Sequence, residues 1–496
     1  MPEVILDTAP EHTNKRWHWA LFALLVLFNL YQLLTHAMWR DELLAWSIAR
    51  DSRSLAELYT NRSYEGFPLL WHLVLWVLTA ASQSPLVMQL FHFACALTTQ
   101  LLIMTRSPFS PGMRLAVVSG YYLSFEYCII SRAYVLGVLL ITVYCAFQEQ
   151  LSRHPALRGT VLGLLANSSV FGAILSLACA ADELLSAVKG REEDTGSERP
   201  RSSGIVPFLA AYSSLLVAAV AAMLPPQDDT FAAGWNLNPD LLEKLYVLCR
   251  LLIAMVPVPV PRATFWNSLA ALDAGMWLAL PVSLAVLLAV WYTLRDAPRY
   301  LGLFTFGLIG VWIFSVVKYL GKVRHSGSVL ILFIACSWLM FSALKRERRS
   351  PSPAAIAALW GILIANMAAF GIAAYYHLKY DFSGGRDMAD IIRRSGGDAP
   401  IVGDIDYAAS TVAGYLNRPI HFATSRSTGT FIIWNGERSD VGPSGVIDLA
   451  ASLAVQHPRV LLLLNYPLES AHARFLACSA DAIVADEVFH LYEFVR

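Results

Sequence analysis

What most limits the fold of this chain is a succession of apolar runs, several of them close to the roughly 20 residues that a helix needs to cross about 30 Å of hydrocarbon. They recur from Trp17 to Tyr376, separated by short polar stretches. Hydrophobic residues make up 56% of the 496, and the mean hydropathy is +0.51. The expectation is therefore a polytopic α-helical membrane protein. Lysine and arginine (37) balance aspartate and glutamate (37), so bulk charge gives no reason to expect nucleic acid, and no glycine-rich phosphate loop suggests a nucleotide motor. Of the seven cysteines only Cys478 lies in the polar tail, which excludes a disulfide framework there, and no CxxC motif offers a metal site.

Sidedness follows from the basic residues. Lys15 and Arg16 precede the first run, placing the N-terminus in the cytoplasm and the following loop on the far side. The run has no small-residue cleavage site after it and reads as a retained helix rather than a signal peptide. Residues 67–81 are too short to span and begin near Pro68; they read as a juxtamembrane helix in the outer leaflet. Further spans are expected at 86–104, 115–130, 133–150, in two short helices broken around Asn167-Ser168-Ser169 between 158 and 185, and at 204–224, 273–293, 300–317, 327–344 and 354–376. That makes about 11 transmembrane helices, with the charged stretch 189–201 and Lys345-Arg346-Glu347-Arg348-Arg349 in the cytoplasm. Counting 67–81 as a span would invert everything after it.

The division expected is a membrane domain, 1–376, with a first outer loop at about 37–85, and a C-terminal extracytoplasmic α/β domain, 377–496. In the latter, strands are expected at 401–403, 460–464 and 482–484, and helices at 386–394, 407–416, 446–456 and 470–478. Asp404-Ile405-Asp406 follows the first strand and reads as turn chemistry.

Three polar clusters fall on one face of this layout: Asp41-Glu42 after the first span; Glu126, Arg132 and Tyr134; and Lys318, Lys322, Arg324 and His325 ahead of the tenth span. An acidic pair can serve as base or metal ligand, and a Lys/Arg/His group can hold a phosphate. Each also has a plain structural reading. Asp41 can cap its helix with Glu42 favouring the positive end, and Arg132 and Tyr134 can anchor at the interface. His72 and His92 read as hydrogen-bonded within the bundle, and Trp235 and Trp266 as interfacial or sugar-stacking.

On these residues the chain resembles the multi-span GT-C glycosyltransferases, in the branch of the protein O-mannosyltransferases and the bacterial lipid A aminoarabinose transferase. The shared features are an Asp-Glu motif after the first span, a Pro-Leu segment (FPLLWHL), the stretch FEYCIISRAY and a late RHSG. The resemblance implies a bacterial inner-membrane enzyme that moves a sugar from a polyprenyl-phosphate donor to a lipid, polysaccharide or protein acceptor on the periplasmic face, with inversion. It implies catalytic roles for Asp41 and Glu42, donor-phosphate contacts from Lys322, Arg324, His325 and Arg132, and acceptor or sugar contacts from Glu126, Tyr134, Tyr64 and Glu65. A divalent metal such as Mg or Mn, if used, would fall to Asp41 and Glu126, though the chain has Glu126 where many relatives carry an Asp. The alternative is a transporter or flippase of polyprenyl-linked glycan, which predicts charges inside the spans and an inverted repeat; neither stands out.

Overall fold

The computed structural model describes residues 15–193, 204–230, 235–395 and 398–496. Most of the charged stretch 189–201 thus lies outside the described residues.

Among the described residues eight helices are long and apolar enough to cross a membrane: Trp17–Thr35, Leu86–Arg106, Val170–Val188, Ile205–Met223, Met276–Leu294, Pro298–Val317, Val323–Arg346 and Pro353–Lys379. Val323–Arg346 is the centre of the bundle, with 83% of its apolar window buried against 22–50% in the other seven. The remaining expected spans are shorter than the apolar pattern suggested. Tyr134–Ala146 and Pro155–Ala166 are short helices, and 115–130 is not one continuous helix. Pro111–Val118 gives way at Gly120 to a π-helical turn, Tyr122–Glu126, in which the Tyr127 amide reaches back five residues to the Tyr122 carbonyl (2.8 Å). Such turns widen the helix and re-aim side chains. The expected break at Asn167–Ser169 has a local cause. The Asn167 side chain donates to the carbonyls of Gly163 and Leu215 (both 2.8 Å), and Ser169 Oγ accepts the Gly172 amide (3.0 Å), capping the next helix.

Leu70–Thr79 is only ten residues long, as a juxtamembrane helix requires, and packs on the helix Arg40–Asp51. Between 225 and 267 the sequence suggested only a Pro-rich loop, yet Leu241–Ile253 is helical. Its start was encoded in Asp240, whose carboxylate accepts the Glu243 amide (2.6 Å).

The C-terminal domain is built on a six-stranded mixed sheet: β1 (Ile401–Gly403), β2 (Ile420–Phe422), β3 (Ser427–Gly429), β4 (Leu461–Leu464), β5 (Ala473–Cys478) and β6 (His490–Phe494), in the order β3-β2-β1-β4-β6-β5. β1 pairs in parallel with both β2 and β4; the other pairings are antiparallel. Two expectations fail here. Residues 473–478 form an edge strand on β6 instead of a helix, and 482–484 contribute one isolated bridge, Ala482 to Asp381. Strand partners supplied by the distant segment 490–494 override the helical composition of ARFLAC. Ile401, Ile420, Phe422, Leu461 and Leu463 join the membrane-side core, together with the helices Gly385–Arg394 and Asp406–Leu416. Val402, Leu462 and Leu464 face Gly442–Ala454 on the other side.

Candidate active site

Four residues separate the first span from the helix Arg40–Asp51, whose first turn is fixed by Glu42: its Oε2 accepts the Trp39 amide (3.1 Å). The same carboxylate is fully buried. Its Oε2 also meets His36 Nε2 (2.9 Å), and its Oε1 accepts the Ser131 amide (2.6 Å). His36 Nδ1 in turn meets His377 Nε2 near the end of the last span (3.1 Å). Glu42 therefore ties together the first span, the site helix, the 131–133 turn and the last span, and all its oxygens are occupied. The sequence paired it with Asp41 in chemistry; the two side chains face different surroundings. His36 and His377 were missed, although ionisable residues at span ends were the available signal.

Asp41 sits where three segments meet. Its Oδ2 lies 3.1 Å from Arg324 Nη2 and 3.3 Å from Arg132 Nη1, while Arg132 also donates to the Asp41 carbonyl (2.5 Å). Oδ1 takes no hydrogen bond among the described residues, and the side chain is 24% exposed. Burial pulls this carboxyl upward, but Arg132, Arg324 and Arg40 outweigh it and hold Asp41 below the usual carboxylate range. Asp41 is thus ionised throughout the physiological range, with one oxygen tethered and the other open.

Arg324 opens the central helix Val323–Arg346. Gly321 supplies the turn before it with φ +72, a left-handed conformation that glycine adopts freely, and the Lys322 amide donates to His325 Nδ1 (2.7 Å). His325 is consequently a buried capping group, packed among Tyr134, Phe171 and Tyr319, rather than an exposed side chain free to meet a phosphate. The Arg324 carbonyl accepts the Tyr127 hydroxyl (2.5 Å), and its guanidinium lies over Trp39 and Trp266 at 5.1 and 5.3 Å. Gly327, the glycine of RHSG, is where the Tyr122 ring crosses the helix; any Cβ would collide with that ring.

Lys322, just before the helix, is exposed. Burial of its surroundings and the neighbouring Arg250, Arg324 and Arg40 push it below the usual lysine range. Arg250, which the sequence did not single out, donates to the Gly321 carbonyl (3.2 Å); the Nε atoms of both Arg250 and Arg324 are buried without an acceptor among the described residues. Cations packed this closely with donors to spare favour an anion between them.

Glu65 ends a short turn, Ser63–Glu65, and is half-buried with no hydrogen bond or ion pair among the described residues. Burial, only partly offset by Arg132 and reinforced by the carboxylates of Asp41 and Asp229, pushes it up to about 7. Tyr64 donates instead to Asp228 (3.0 Å). Tyr134 is buried between Phe67, Tyr127 and His325, and its hydroxyl has no partner among the described residues. Among the described residues His72 is buried with neither ring nitrogen hydrogen-bonded, in contrast to the bonded histidine expected, whereas His92 lacks a partner at Nδ1 but hydrogen-bonds the Cys128 backbone.

Asp41 and Glu126 do not fit a divalent cation. Glu126 is buried with Oε2 accepting from both Tyr121 (2.8 Å) and Trp266 (3.0 Å), while the free side of that indole carries the Arg324 guanidinium that also binds Asp41. No group of three or more His, Cys, Asp or Glu residues able to hold a metal occurs among the described residues.

No protein-family model matches the sequence, and no curated protein matches it. The fold does match two crystal structures of ArnT from Cupriavidus metallidurans. One, bound to undecaprenyl phosphate, is 13% identical with a TM-score of 0.53, and the apo form is 12% identical with a TM-score of 0.54. Each comparison covers 97% of this chain and 98% of the other. The likeness is one of fold, membrane bundle and C-terminal domain together, and it is the fold that the Asp-Glu, FEYCIISRAY and RHSG motifs implied.

Proposed function

We propose that this chain is a membrane glycosyltransferase that transfers a sugar from a polyprenyl-phosphate donor to a hydroxyl acceptor, with the N-terminus in the cytoplasm and the site and C-terminal domain on the opposite face. The observation that carries this reading is Asp41, tethered between Arg132 and Arg324, with Arg250 and the exposed Lys322 beside Arg324. The fold shared with ArnT, a lipid A aminoarabinose transferase of GT-C type crystallised with undecaprenyl phosphate, supports it.

In this reading the donor phosphate sits against Lys322, Arg324 and Arg250. The acceptor oxygen attacks the anomeric carbon as the bond from that carbon to the phosphate oxygen breaks. The electron pair leaves with the polyprenyl phosphate, and configuration inverts. Cations preorganised around the departing oxygen stabilise the charge that develops there. Asp41 Oδ1 takes the acceptor proton. A positioned base contributes about 10² to 10⁴ in rate, although a carboxylate held so low is a weak one and acts as the phosphate departs. Glu65, poised near neutrality, binds the acceptor hydroxyl and passes the proton on. Arg132 holds Asp41 in place through both its carboxylate and its carbonyl.

The test is reconstitution of purified protein in vesicles with a panel of labelled polyprenyl-phosphate sugars and membrane acceptors, reading the anomeric configuration of the product by NMR. Labelled sugar in an acceptor with inverted configuration is expected. Movement of intact donor across the bilayer with no transfer would instead favour a flippase.

A further inference from the structure

The helix bearing Asp41 is held by the C-terminal domain at its start, middle and end. At its start, Arg40 Nη1 bonds Asp486 Oδ2 (2.7 Å) and lies 3.6 Å from Glu487 Oε1, while the Arg40 amide donates to that same Glu487 oxygen (3.0 Å). The guanidinium also lies 5.0 Å over the Tyr407 ring. In the middle, Leu43 packs against Gly414 so closely that a Cβ there would stand 3.0 Å from the Leu43 Cβ. At the end, Asp51 accepts the Thr430 hydroxyl. The turn Ala485–Glu487 that grips Arg40 is itself anchored: Asn465, after β4, donates to the Asp486 carbonyl (3.0 Å), and the Glu487 carbonyl accepts the Gly384 amide (2.9 Å).

Glu487 is an expensive side chain to place here. It is fully buried, its Oε2 has no hydrogen-bond partner among the described residues, and burial pushes it up to about 7 despite Arg40 and a hydrogen bond with the Ser383 side chain. An apolar pair would serve a mere joint better, because a buried carboxyl with an unpaired oxygen costs stability. What the carboxyl does supply is an acceptor for the amide one residue before Asp41.

We propose that the C-terminal domain completes the active site, with Asp486 and Glu487 as positioning residues that act through Arg40 to set the Asp41 carboxylate between its two arginines. The inference rests on the glycosyl-transfer reading, since it is Asp41 that is positioned. Displacing a reacting group by about 1 Å can cost roughly 100-fold in rate.

The test uses the full-length protein in vesicles and compares wild type, the Asp486→Ala/Glu487→Leu double variant and Glu487→Gln, which keeps an acceptor for the Arg40 amide. Two readouts are taken: transfer kinetics, and hydrogen exchange of the 40–51 segment. The double variant is expected to lose roughly 10- to 100-fold in kcat with KM for the donor unchanged, and to exchange faster at 40–51; Glu487→Gln is expected to retain most of kcat. Wild-type kcat and wild-type exchange in a folded double variant would overturn the inference. If wild type transfers no sugar from any donor, the functional reading falls instead, and unaltered exchange at 40–51 in the double variant would then overturn the positioning by itself.

Discussion

Replacing Glu42 by leucine separates structural from chemical roles at the Asp-Glu motif. The native carboxylate is fully buried and takes hydrogen bonds from the Trp39 and Ser131 amides and a contact from His36. Leucine restores none of these and strands two buried amides. Hydrogen bonds to charged groups contribute about 1.5–3 kcal/mol each, and breaking one partner of a buried polar cluster costs about 3–5 kcal/mol, so the non-additive total falls near the latter range. Against a stability of about 5–15 kcal/mol this is a large fraction without being lethal. Glu42→Gln keeps one acceptor oxygen and is expected to lose about half as much. The assay is thermal unfolding in detergent, with transfer measured on the surviving folded fraction. Glu42→Leu is expected to melt several degrees lower and, per folded molecule, to lose activity because Ser131, and with it Arg132, is released. A Glu42→Leu protein that melts like wild type refutes the structural role, and one that melts like wild type yet is catalytically dead makes Glu42 a reacting group.

Gly327→Val drives a side chain into the Tyr122 ring, so little folded protein is expected in size-exclusion chromatography, whereas Gly361→Ala, with open space around it, is expected to leave yield unchanged. Glu65, pushed up to about 7, is half ionised near neutrality; transfer is expected to rise as pH increases through that value, and Glu65→Gln is expected to remove that limb of the pH profile. An unchanged profile would dismiss Glu65. Lys322→Ala is expected to raise KM for the donor, to lower kcat modestly because one of the cations at the departing oxygen is lost, and to reduce the salt sensitivity of KM, since an exposed cation contributes screened attraction to a phosphate.

The membrane class and the order of elements were legible because length and hydropathy alone decide whether a helix can span. The nearness of Asp41, Arg132 and Arg324 was legible in part, since sidedness placed them on one face. What escaped depends on packing between segments far apart in sequence. Glu42 looks like a partner of Asp41 until Ser131 and His36 are seen to enclose it. His325 looks like a phosphate ligand until the turn at Gly321 folds the Lys322 amide onto it. Arg250 belonged to a segment read as loop, and β5 becomes a strand only because β6 pairs with it. Lone hydrophobic spacing gave no means of distinguishing a continuous span at 115–130 from a helix interrupted by a π-turn.

The most direct test of the account is sugar transfer by wild type and Asp41→Asn, compared at equal folded amounts with the same polyprenyl-phosphate donor. The substitution keeps the shape of the side chain and removes its charge and its capacity to take a proton. Transfer by wild type is expected, with a loss of about 10² to 10⁴ in kcat for Asp41→Asn and donor still bound. Transfer at the wild-type rate by Asp41→Asn would contradict it.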